Sequence, residues 1–140
     1  MPDIEYDREG RDKQYLSINK HQKNARNGYS KWVSINIEKE VFDNADYGNF
    51  THVVGDIHWA DQEGNLWGMH QDYESVGMAK EQFAFFVNPE NAQGRWHGYP
   101  IVPFSTGKYA ISQELIALWV EKEILDADDV AHLVNKKRIG

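Results

Sequence analysis

Asp56, His58 and His70 are the side chains of this sequence best suited to chemistry, because a carboxylate and two imidazoles form a ligand set that zinc or iron accepts. Their spacing brings them together if residues 50–73 fold as one hairpin. Asp61-Gln62-Glu63-Gly64-Asn65 lies between two runs of alternating character, and a late Gly suits a type I turn closed by a left-handed residue. With Asp61 facing Asn65, Trp59 pairs with Trp67, Ile57 with Met69 and Val53 with Tyr73 on one apolar face. The opposite face then sets Asp56 across from His70, with about 5 Å between their Cβ atoms, and His58 two residues along. His52 or Asp72 would complete the set, and a divalent transition metal held there implies a metal-dependent hydrolase. The competing expectation is a solvated outer face, since a half-buried sheet is polar on one side in any case.

A second group lies between Gly94 and Pro100. Trp96, His97 and Tyr99 are flat contact groups and Arg95 can clamp an anion, so the stretch reads either as a recognition loop or as rings folded inward to close the sheet. Nucleophile signatures are missing: there is no Cys and no Gly-x-Ser-x-Gly.

These groups must be positioned by strands and helices placed as follows. The alternation of Leu16 and Ile18, and of Val33, Ile35 and Ile37, predicts two strands around a turn at Asn27-Gly28. Glu38 to Asp43 reads as a brief helical turn carrying Val41 and Phe42, and residues 44–49 read as a loop. Residues 82–87, apolar on both faces, predict a central strand stopped by Asn88-Pro89. Ile111, Leu115, Leu118 and Trp119 after Ser112, then Val130, Leu133 and Val134 after Asp126, predict two short C-terminal helices. The sum is an α+β fold, an antiparallel sheet of about four to five strands with a C-terminal pair of short helices.

The 140 residues suit one domain. Charge divides it: residues 1–31 carry a net +2 and residues 32–140 a net −9, so the sequence predicts a basic N-terminal arm, 1–31, on a single acidic α+β domain, 32–140. A formal charge of −7 argues against nucleic acid as partner except through the arm at 13–31. The second C-terminal helix would point Asp126, Asp128 and Asp129 at phosphates, which argues against reading DNA. The acidic start and the lack of a long apolar run indicate neither secretion nor a membrane span, and the absence of Cys agrees with a reducing cytoplasm. The leading expectation is a small acidic soluble domain without a cofactor that binds another protein, of inhibitor or immunity type, through Arg95, Trp96, His97 and Tyr99.

Overall fold

Helix α1, Ile35–Tyr47, is the element against which the rest is packed. Ser34 caps it by accepting a hydrogen bond from the Ile37 amide, and Gly48 ends it in the left-handed conformation. Glu38, Val41, Phe42 and Ala45 recur at helical spacing and are all buried. The strand expected over 33–37 is therefore the beginning of a helix: its alternating Ile residues are outweighed by the cap at Ser34 and by the apolar stripe downstream.

The computed structural model describes residues 2–89, 94–104 and 109–140. Strands β1, Ile4–Tyr6, and β2, Tyr15–Ser17, form a two-stranded antiparallel sheet. Three more strands, β3 (Leu66–Met69), β4 (Phe83–Val87) and β5 (His97–Ile101), form a second antiparallel sheet with β4 in the middle. The fold is α+β, with two small sheets where a single larger one was expected. They meet at one parallel bridge, where Leu16 donates to the Trp96 carbonyl (2.8 Å) and Trp96 to that of Gln14 (2.9 Å).

α1 lies on β3, and Gly68 makes the approach possible. A Cβ there would stand 2.7 Å from both the Val41 side chain and the Val41 carbonyl. Beyond the sheet, α2 (Gln113–Glu121) starts at Ser112 and α3 (Ala127–Val134) at Asp126, which forms a reciprocal capping box with Asp129. Trp119 on α2 packs edge-on against Trp59 and tilted against Phe83.

Part of the N-terminal segment packs into this body. Tyr15 and Ser17 of β2 are buried, the face opposite to the one that Leu16 and Ile18 suggested, and the Arg8 side chain is buried between Asp43 and Asp46.

Only the tip of the expected hairpin forms. Asp61 donates to Asn65 (2.9 Å), Ala60 bridges Leu66, and Trp67 donates to Trp59 (2.9 Å), all in the expected register. Pairing then stops, because the Trp59 amide donates to the Ala45 carbonyl in the last turn of α1 (2.9 Å). Upstream of Trp59, His52 and Gly55 have positive φ, incompatible with a strand, and Ile57 does not reach Met69.

Candidate functional site

The stretch expected to be a recognition loop is largely strand β5 and its approach. Trp96 is 6% exposed and packs against Phe42, the inward-folded of the two arrangements expected for this stretch. It is drawn inward because its backbone pairs with β2. The Arg95 guanidinium is already engaged, 3.1 Å from Asp7, 3.7 Å from Glu5 and 3.4 Å from the Tyr15 carbonyl. Tyr99 stacks on His21 with ring centroids 4.9 Å apart, and its hydroxyl lies 2.9 Å from that of Tyr109. Burial, ahead of that hydroxyl contact, raises the Tyr99 phenol above its ordinary range. His97 is half-buried, and desolvation followed by the Lys20 charge holds its imidazole below the usual range. The four residues thus run from the approach to β5 into its first half without presenting one outward face.

Asp56, His58 and His70 are held by three different neighbourhoods. Asp56 accepts from Asn49 (3.0 Å) and pairs with Lys122 (3.3 Å), and these two contacts, the hydrogen bond first, lower its carboxyl. His58 lies near Lys13, Arg11 and Asp46; desolvation of its inner edge and then the Lys13 charge lower its imidazole. His70 sits 3.7 Å from Glu40 of α1 and accepts from the Asp72 amide (3.0 Å). The cross-strand register that would have gathered them ends at Trp59. Among the described residues no three His, Cys, Asp or Glu side chains converge as a metal group would require.

What residues 49–57 do build is a shaped loop. The Asn49 amide nitrogen is within reach of the Val53 carbonyl (2.9 Å), Asp56 (3.0 Å) and the Tyr47 carbonyl (3.3 Å). Its oxygen accepts from the amides of Thr51 (3.1 Å) and Val53 (3.0 Å). His52 closes the base, stacking on Tyr47 and bonding Asn44 through Nε2 (2.8 Å). On this frame Val53, Val54 and Ile57 stand in water, 60%, 74% and 66% exposed. Val53 and Ile57, expected on the buried face of a hairpin, are thus among the prominent apolar groups on the surface of this loop.

Two functional candidates have only faint signals in the sequence. Asn49 follows the helix-ending Gly48, the position of a loop-organising Asn. Glu38 occupies the apolar stripe of α1 and is therefore a buried carboxyl group. Comparison of the chain with protein-family models, with curated proteins and with solved structures finds no match.

Proposed function

We propose that this chain is a protein-binding module and that the loop from Asn49 to Ile57 is its contact surface. The observation that carries this reading is the exposure of Val53, Val54 and Ile57 on a loop that Asn49 holds in one shape. Single exposed aliphatic residues are ordinary, but these three fall within five positions. Covering them would gain about 25 cal/mol per Å² of apolar area, and a loop ordered beforehand does not lose that entropy on binding. The net charge of −7 steers such a chain towards a basic protein, the situation of an inhibitor or immunity-type antagonist.

The test is a pair of substitutions, Val54→Asp and Ile57→Asp, in a reconstituted complex. A partner is recovered on the immobilised chain, purified, and its affinity measured against both proteins. Stability should change by less than about 0.5 kcal/mol, because neither side chain packs inward. Affinity should fall by about 2 kcal/mol or more per anchor. A partner whose affinity is indifferent to both substitutions overturns this contact surface.

A further inference from the structure

A cleft of 190 Å³ opens between the N-terminal segment and the start of α1. Its walls include Ile4, Trp32 and Ile35, and Lys23 stands at its exposed mouth. Glu38 also lines it, 1% exposed. The carboxylate accepts from the Tyr15 hydroxyl (2.6 Å) and the Ser17 hydroxyl (2.7 Å), one bond on each oxygen, and each oxygen has a second acceptor position. None of the described ion pairs includes Glu38.

Gln22 is the second, independent observation. Its amide nitrogen donates to the carbonyls of Pro2 (3.0 Å) and Ser17 (3.2 Å), which fixes the orientation of the group. Its Oε1 is then a buried acceptor with no donor, in a residue 7% exposed that lines the same cleft. Unmet acceptors of this kind are costly in a folded protein. A structural tie between α1 and β2 accounts for the Tyr15 and Ser17 bonds, but it leaves Gln22 Oε1 unanswered and Glu38 without a counter-charge.

We propose that this cleft binds a small organic cation, a primary ammonium on a flat apolar body, with Glu38 and Gln22 Oε1 taking its N–H groups and Trp32 flanking the apolar part. A cavity of about 150 Å³ is enough for benzene, so an aromatic ring with an aminomethyl group matches the available space. Glu38 faces Tyr15 and Ser17 from β2, Lys39 from its own helix and Lys23 at the mouth. Burial, against the opposing bonds from Tyr15 and Ser17, raises its carboxyl to about 7, so binding a cation should ionise it and release a proton.

The experiment uses the full chain, following the Trp32 indole resonance during titration with benzylammonium and, separately, with uncharged benzyl alcohol. Benzylammonium should produce a saturable shift with an affinity at least about tenfold above that of the alcohol, a charge-assisted preference. That affinity should weaken by about tenfold for each pH step of one below about 7, and Glu38→Gln should remove both the preference and the pH dependence. Equal affinity for the two probes, meaning an apolar cleft only, or no saturable response to benzylammonium, overturns the proposal. Because the two probes are compared on the unsubstituted chain, the test remains decisive even if Glu38→Gln fails to fold.

Discussion

Glu38 links pH to stability in a direction opposite to that of an ordinary surface carboxylate. Desolvation raises its carboxyl from 4.5 to about 7 in the folded chain, so between those values the folded state holds more protons than the unfolded one. The stabilisation is complete below about 4.5, is lost as pH rises, and is gone above about 7. Its full extent is about 3 kcal/mol. His21, His58 and His97 oppose it, since desolvation first of all lowers their imidazoles and stability from them rises with pH. Comparing the wild type with Glu38→Gln cancels those histidine contributions. In denaturant titrations from about pH 5 to about pH 8, the substituted protein should gain on the wild type by up to about 3 kcal/mol. Parallel profiles would show that Glu38 does not titrate in that window.

At the scale of elements, the end of α1 governs the shape of the loop that follows. Gly48 has φ of 73°, and a Cβ there would stand 1.9 Å from the Ile57 carbonyl oxygen, a contact that cannot exist without moving backbone. Gly48→Ala should therefore destabilise by more than the roughly 1 kcal/mol of a left-handed residue alone, because the loop base must shift as well. Gly10, with φ of 77° and nothing near the site of its Cβ, is the control: Gly10→Ala should cost only that conformational amount. Urea unfolding of both variants measures the difference, and equal costs would mean that the approach of Ile57 to Gly48 is dispensable. The elements most legible in the sequence were those whose signals are local. The Asp126 cap with its acidic first turn, the Ser112 cap, and the unbroken apolar run of β4 all stand where expected. The tip of the hairpin was equally local, set by Gly64 and the Asp61–Asn65 pairing. The strand upstream of Trp59 failed for a reason outside any local window: the Ala45 carbonyl takes the amide that would have continued the ladder, and that requires α1, which the alternation of Val33, Ile35 and Ile37 concealed. Asp56 and His70, expected opposite one another, depended on the same ladder and have separate neighbours instead.

For the molecule as a whole, the contrast between a basic beginning and an acidic remainder is legible in the sequence. Opposite charge suggests an arm resting on a body, and the buried Arg8, Tyr15 and Ser17 add packing to that contact. Asp46 is the point where the two are joined, lying 2.7 Å from Arg8, 3.0 Å from Arg11 and 3.7 Å from Lys13. Desolvation would raise its carboxyl, but the bonds and charges of Arg8 and Arg11 outweigh that and hold it below the ordinary range. Stability from this group is thus present above the ordinary carboxylate range and is lost as pH falls through the lowered value. Arg8 also lies over the Phe42 ring (4.8 Å) and Arg11 over the Tyr47 ring (4.0 Å), so the cations are held by α1 on two counts. The Arg8 and Asp46 side chains are each 2% exposed, too buried for salt to screen, unlike the Arg95–Asp7 pair on the surface. Two results should follow in limited proteolysis between Lys13 and Lys31. Raising ionic strength should leave cleavage of the wild type nearly unchanged, because Tyr15 is fully buried and the central ion pair is dry. Asp46→Asn should accelerate it at any salt concentration, since it breaks a buried pair from one side, at a cost of up to about 3–5 kcal/mol, and leaves Asp43 as the remaining carboxylate partner of Arg8. Cleavage that quickens with salt in the wild type, or stays slow in Asp46→Asn, would mean that the N-terminal segment is held by the exposed pairs at Arg95 rather than by α1.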